Sequence, residues 1–235
     1  MKALLLATLL VVLTGCTADG RFDLQALNHN AMPAQCPKPT PEQDLSLNLA
    51  DDMANDGRLH ASLANLEALP DNLVQVQLRK ARVLRALGRS EAEPIYRGLL
   101  GTCMAAEGEH GLGQIAAAAG DNGLAMSHLQ RAAHLAPTDE KIRNDLGVVY
   151  LNQLRLDDAR FEFLTAMELK QEDSLAAVNL VTLLIYQDNW KQAAQVVTRA
   201  NLTPDQVSDA QARADKLKNG GKVVAAIEVP ATPVK

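Results

Sequence analysis

Residues 140–173, EKIRNDLGVVYLNQLRLDDARFEFLTAMELKQED, decide the fold, because the chain repeats them. Segments 106–139 and 174–207 align with this stretch at a 34-residue step without a gap. Leu112, Leu146 and Leu180 fall in register, followed by Gly113, Gly147 and Val181, and then Ala116, Tyr150 and Leu184. Later in each copy come Ala125, Ala159 and Ala193; Leu129, Phe163 and Val197; and Ala132, Ala166 and Ala200. A fixed period of this length marks stacked helix pairs. The conserved sizes have a physical reason. Gly147 and Ala159 suit a close crossing of two helices, where a larger substituent would push them apart. Ala166 suits the meeting with the next copy, and Tyr150 and Phe163 fill the space between. A single helix pair cannot bury its apolar face alone, and stacking supplies the cover.

The pattern extends outward less cleanly. Residues 74–105 fit with a turn one residue short, through Ala81, Leu84, Gly88, Ala92, Tyr96 and Leu99. Residues 43–72 fit as a shortened first copy, through Leu49-Ala50, Met53, Gly57, Ser62, Leu66 and Leu69. Downstream, Asp205 to Lys218 reads as one more helix. Pro204 stands at its first turn, and Val207, Ala210, Ala214 and Leu217 share a face, as a capping helix requires. Turns are expected at Leu87-Gly88-Arg89, Asp121-Asn122-Gly123 and Asp188-Asn189. Almost nothing reads as strand. Composition agrees: 47% of residues are hydrophobic but only 3% aromatic, so the core is built from Ala, Leu and Val, and Ala and Leu are strong helix formers. The expectation is an all-α chain of four to five repeats plus a cap.

These residues resemble the tetratricopeptide repeat, whose 34 residues form two antiparallel helices. Residues 140–173 match best, with Leu146-Gly147 and Tyr150 in the first helix and Ala159, Phe163 and Ala166 in the second. Pro137 closes the preceding copy. The usual early Trp is absent from all copies, and Arg143 takes its place in the best one. The resemblance implies a right-handed α-solenoid in which the first helix of each pair lines a concave groove. Its inward positions carry over to Leu78, Arg82 and Arg85, then to His110 and Gln114. They continue with Lys141, Asn144, Val148 and Asn152, and end with Val178, Thr182 and Tyr186. One end of such a groove is basic, the middle amide-rich, and the far end apolar and aromatic. Amides pair with peptide backbone and Tyr supplies an anchor, so an extended or helical peptide is the implied ligand. Val148 stands where the carboxylate clamp of chaperone-binding repeats would need Asn.

The ends of the chain read differently. Residues 1–15 form a signal: Lys2 supplies positive charge, Ala3 to Val12 is an apolar run too short to span a bilayer, and Leu13-Thr14-Gly15-Cys16 resembles the bacterial lipobox. That resemblance implies acylation of Cys16 and a membrane anchor. Thr17, in the place where Asp would retain a lipoprotein at the inner membrane, implies the outer membrane, with the chain facing the periplasm. Residues 16–41 read as a tether with Pro33, Pro37, Pro39 and Pro41. Residues 42–218 hold the repeats, and 219–235 read as a flexible tail with Gly220-Gly221, Pro230 and Pro233. Cys36 and Cys103 remain. In an oxidising periplasm they can pair, or one can stay buried and the other exposed as free thiols.

Several functions are disfavoured. A net charge of −5 argues against nucleic acid, which needs a basic footprint. His128 and His134 are six apart and lie on nearly opposite sides of a helix, so they make no metal pair. His110, beside Glu107 and Glu109, reads as a solvated helix start. No nucleophile has an elbow or triad setting. Gly111-Leu112-Gly113 lies in a repeat helix and not after a strand, so it is no phosphate loop. Asp51-Asp52 and Asp157-Asp158 read as structural, the latter at a helix N-terminus that favours negative charge. The expectation is a non-enzymatic interaction protein with no metal and no cofactor.

The run Asn144-Asp145-Leu146-Gly147-Val148, and Asn179-Leu180 followed by Asp188-Asn189-Trp190, resemble the TadD family of tetratricopeptide lipoproteins in the Tad (tight adherence, Flp pilus) assembly system. The pilotin family of type IV pili, PilF, has a similar architecture. The TadD resemblance implies a pilotin-like scaffold whose groove binds a secretin subunit or another assembly component.

Overall fold

The Pro-rich run ends in a helix start. Thr40 caps α1 (Pro41–Asn55): its hydroxyl accepts the Gln43 N–H, and the Gln43 side chain accepts the Thr40 N–H. This box satisfies two of the N–H groups that every helix start leaves open. Pro41 sits in the first turn, where a missing N–H costs nothing, so it belongs to the helix and not to an extended tether. The computed structural model describes residues 36–171 and 174–220. Among them are helices and no strand. After α1 come α2 (Leu59–Glu67), α3 (Val74–Ala86), α4 (Ala92–Leu99), α5 (Ala105–Ala118) and α6 (Asn122–Leu135). The series ends with α7 (Glu140–Asn152), α8 (Leu156–Leu169), α9 (Ser174–Tyr186), α10 (Trp190–Arg199) and α11 (Pro204–Lys218). Thr203 and Gln206 start α11 with the same box that opens α1. The expected signal peptide, Cys16 and most of the tether and tail lie outside the described residues.

Each odd-numbered helix packs on the even-numbered helix that follows it, and each even-numbered helix up to α8 packs on the next odd-numbered one. Contacts also run from α1 to α3, α5, α7, α9 and α11, so the odd-numbered helices form one continuous layer. The core divides accordingly into neighbouring clusters. One lies between α1 and α3, one between α3 and α5, and a larger one runs from α5 to α11. This is the nearest-neighbour organisation of a solenoid.

The close crossing expected at Gly147 is present. A Cβ there would stand 2.6 Å from Phe163 Cε1, and one at Gly113 would stand 2.7 Å from Leu129 Cγ. The third copy exchanges the sizes, with the larger Val181 on α9 and the smaller Val197 on α10. In the first copy, Leu49 is exposed although its counterparts Leu146 and Leu180 are buried, because no described helix precedes α1 to cover it.

The turns inside the repeats share one backbone device. Gly57, Gly88, Gly120, Leu154 and Asp188 all have positive φ, and the last three are 34 residues apart. The turn expected at Asp121-Asn122-Gly123 lies one step earlier. Gly120 makes the turn, Asp121 caps α6 by accepting the Leu124 N–H at 2.9 Å, and Asn122 and Gly123 already belong to the helix. Leu154 holds φ 57° with a side chain that clashes there.

Cys36 and Cys103 are joined by a disulfide with a Cα–Cα distance of 5.4 Å. It ties the chain ahead of α1 to the turn between α4 and α5. The Gln75 amide reinforces the tie by donating to the Pro37 carbonyl at 2.7 Å.

Candidate interaction surface

The layer of odd-numbered helices carries a ladder of polar contacts. Asp51 on α1 accepts from Arg79 Nε on α3 at 2.8 Å. Asp145 on α7 meets two groups of α5: His110 Nε2 at 2.7 Å and Gln114 Nε2 at 2.8 Å. Asn179 on α9 donates through Nδ2 to Asn144 Oδ1 on α7 at 2.8 Å. Asn179 Oδ1 in turn accepts from Arg213 Nη1 on α11 at 3.3 Å, and Arg213 is paired with Asp209 at 2.7 Å. The rungs recur because one side of each stands at the equivalent position of its copy: Asp145, Asn179 and Arg213 are 34 residues apart.

The ladder changes the meaning of several residues expected to line a groove. Asn144, Val148, Val178 and Thr182 are buried, at 3%, 1%, 4% and 0% exposure, and so is Leu78. They pack instead of lining an open surface. α11 lies directly across α9, which leaves α9 buried on almost all sides. Thr182 spends its hydroxyl on the Val178 carbonyl of its own helix. His110 and Gln114 are half-buried and engaged with Asp145, so His110 is not a solvated helix start. Arg85, Asn152 and Tyr186 are half-buried, and Arg82 is exposed. The acceptors and donors that complete the rungs, Asp51, Arg79, Asp145, Asn179 and Arg213, were not singled out as inner-face residues from sequence. Their spacing of about one repeat from a polar partner was the available signal.

A second set of ionic pairs fills the place of the missing Trp. In the best copy, Arg143 Nη1 reaches Glu162 Oε2 at 3.1 Å, between α7 and α8. One repeat earlier the same two positions hold Glu109 and His128, whose Nδ1 is 2.6 Å from Glu109 Oε2. Arg131 Nε adds a contact of 2.7 Å to Glu109 Oε1. In the last copy these positions hold Ala177 and the apolar Val196. The two carboxyls respond oppositely. Burial pushes Glu109 up, but hydrogen bonds from Arg131 and His128 outweigh it and hold the group below the ordinary carboxylate range. Burial pushes Glu162 up, and the hydrogen bond from Arg143 only partly offsets that. Asp157 and Asp158 lie in the first turn of α8, and Asp158 pairs with Arg155.

Chemistry of other kinds finds little support. Among the described residues no group of His, Cys, Asp and Glu is arranged to hold a metal ion. Among them, too, no helix is long and apolar enough to cross a membrane. A cavity of about 490 Å³ lies beside α6, lined by Glu109, Ser127, Gln130, Arg131, His134 and Leu135. Its one buried carboxylate, Glu109, is already engaged by Arg131 and His128, one at each oxygen.

Paired helices stacked through small residues, with a turn of positive φ inside each pair, define a tetratricopeptide-type solenoid. The chain is 44% identical over 173 residues to the TPR repeat-containing protein PA4299 of Pseudomonas aeruginosa, a match covering 74% of this chain and 71% of that protein. The chain therefore belongs to the tetratricopeptide (TPR) repeat-containing proteins. No protein-family model matches it. Its fold is similar to that of MamA. One MamA crystal structure superposes with a TM-score of 0.52 at 17% identity, covering 68% of this chain and 95% of that one. MamA residues 41 to the end from Desulfovibrio magneticus RS-1 give 0.51 at 18% identity, covering 73% and 98%. These likenesses concern the fold alone. A TPR solenoid of this kind suggests a protein–protein interaction scaffold.

Proposed function

We propose that this chain is an outer-membrane lipoprotein, anchored through Cys16 and facing the periplasm, that acts as a pilotin-like scaffold in Tad/Flp pilus assembly. In this reading the lipid end fixes the membrane position, and the repeat layer holds a secretin subunit or another assembly component. The division of the chain follows the same logic: a signal over 1–15, a tether that ends where Thr40 caps α1, and repeats with their cap from Pro41 to Lys218. No enzymatic step, metal or cofactor is invoked.

The observation that carries the compartment is the Cys36–Cys103 disulfide. Structural disulfides persist in oxidising compartments, which is where a chain exported behind a lipobox arrives. The assignment to the Tad system rests on the resemblance of Asn144 to Val148 and of Asn179 to Trp190. A pilotin of the type IV pilus or another envelope-assembly adaptor would share the architecture. Deletion of the gene tests the proposal. The secretin is then expected to remain monomeric or to reach the wrong membrane, and normal secretin multimers in the deletion strain would contradict the pilotin role.

A further inference from the structure

The polar ladder has five steps between successive odd-numbered helices, and four of them carry a described rung. The step from α3 to α5 does not. There the position occupied elsewhere by Arg79, Asp145, Asn179 and Arg213 is held by Gly111. The reason is steric: a Cβ on Gly111 would fall on the ring of Tyr96. That ring, from α4, fills the space a rung would need, and Tyr96 is buried.

The consequence falls on α3. Arg82 stands where Asp51 and Gln114 stand in the neighbouring copies, yet it is exposed and makes no ion pair among the described residues. Arg85, one turn along the same face, reaches among the described residues only the Tyr96 hydroxyl, at 3.4 Å. A neutral hydroxyl leaves its charge uncompensated. The contrast with the rest of the layer is sharp: Arg79 is paired with Asp51, and Arg213 with Asp209. The chain has 28 acidic against 23 basic residues, so acid to neutralise two arginines is in excess, but among the described residues none is paired with them.

We propose that Arg82 and Arg85, at the step where the ladder is interrupted, form an anion site that takes a carboxylate of an acidic partner segment. Guanidinium groups are always charged, present a planar fork that matches a carboxylate, and are less strongly hydrated than an ammonium. The rungs on either side are already satisfied and offer nothing to an anion. The site therefore gives the scaffold an address near its N-terminal end, on the same helix, α3, whose Gln75 holds the Pro37 carbonyl. The proposal rests on the scaffold reading but not on the identity of the partner.

The test uses the full chain in detergent and peptides of defined charge, with binding followed by calorimetry and by the Nε–Hε resonances of the arginines. The first peptide is acetylated and amidated and carries glutamates at alternate positions. The second has glutamine in their place and a free C-terminus. The third has glutamine and an amidated end. Binding of the first assigns the site to side-chain carboxylates, and binding of the second alone assigns it to a chain-terminal carboxylate. The third should not bind. Arg82→Gln, a change at an exposed position, should weaken binding about tenfold, and Arg82→Lys should restore part of it. Unchanged affinity in the Arg82→Gln/Arg85→Gln chain, or no binding of either anionic peptide to the unaltered chain, would overturn the proposal. Failure here is separable from failure of the pilotin reading. A secretin segment bound equally well by the double variant removes this site and leaves that reading intact. Arg82-dependent peptide binding in a strain whose secretin assembles without the protein does the reverse.

Discussion

Leu154 offers a test of the repeat geometry that needs no partner. It occupies the turn between α7 and α8 with φ 57°, where the equivalent position of the previous copy is Gly120. A left-handed conformation costs an L-residue with a Cβ roughly 1–2 kcal/mol. The side chain is 54% exposed, so little burial compensates. Replacing Leu154 with Gly removes the clash but adds conformational freedom to the unfolded chain, which offsets roughly 0.5–1 kcal/mol. The net expectation is a stabilisation of about 0.5–1 kcal/mol. Leu154→Asn should give a similar gain by tolerating the same φ with less added freedom. Urea unfolding monitored by circular dichroism reads this as a higher midpoint with an unchanged slope. In a thermal scan, a domain of this size should gain about 1–4 °C. A lower midpoint in both variants would refute the reasoning and mean that the Leu154 side chain holds the turn by packing.

Three further outcomes are expected. Reducing the Cys36–Cys103 bond, which spans 67 residues, should lower stability by up to about 4 kcal/mol on loop-entropy grounds, and Cys36→Ser should give the same loss without reductant. Glu109 is held below its ordinary range, so its contribution is present above the unfolded value near 4.5 and disappears as pH falls through the lower folded value. Glu109→Gln should accordingly destabilise by about 1–3 kcal/mol at neutral pH and by progressively less as pH falls below the unfolded value, as read from denaturant midpoints across pH. Asn179→Ala should cost about 2–4 kcal/mol, because it leaves the buried Asn144 oxygen without its donor and removes an acceptor from Arg213. The loss should appear first in hydrogen exchange of α9 and α11.

The repeat itself was readable because its signal is steric and local. Gly147 opposite Phe163, and Ala at the recurrent crossing points, announce themselves by size at a fixed period. The ladder was not readable in the same way. Asn144 carries the same amide whether it faces solvent, a peptide or Asn179. The choice depends on how closely α7, α9 and α11 approach, which single-repeat patterns do not encode. The same holds for His110, whose sequence neighbours Glu107 and Glu109 distract from Asp145, 35 residues away. The groove positions taken from the resemblance assume an open inner face. At Val178 and Thr182 the packing of α11 across α9 removes that opening, and Val148 is buried on α7. Leu154 escaped notice because nothing in its composition marks a turn, whereas Gly88 did so plainly. The Cys36–Cys103 pair could be enumerated from sequence, but its geometry depends on where the chain before α1 passes the turn after α4.

The most direct test of the central claim replaces Cys16, the residue on which the anchored-scaffold reading depends. In a strain lacking the native gene, the unaltered chain and its Cys16→Ala variant are supplied in turn, and secretin multimers are assayed in separated membranes. The account predicts that the variant folds and binds its partner, yet leaves the secretin unassembled or outside the outer membrane. Normal multimers in the outer membrane with Cys16→Ala would contradict it.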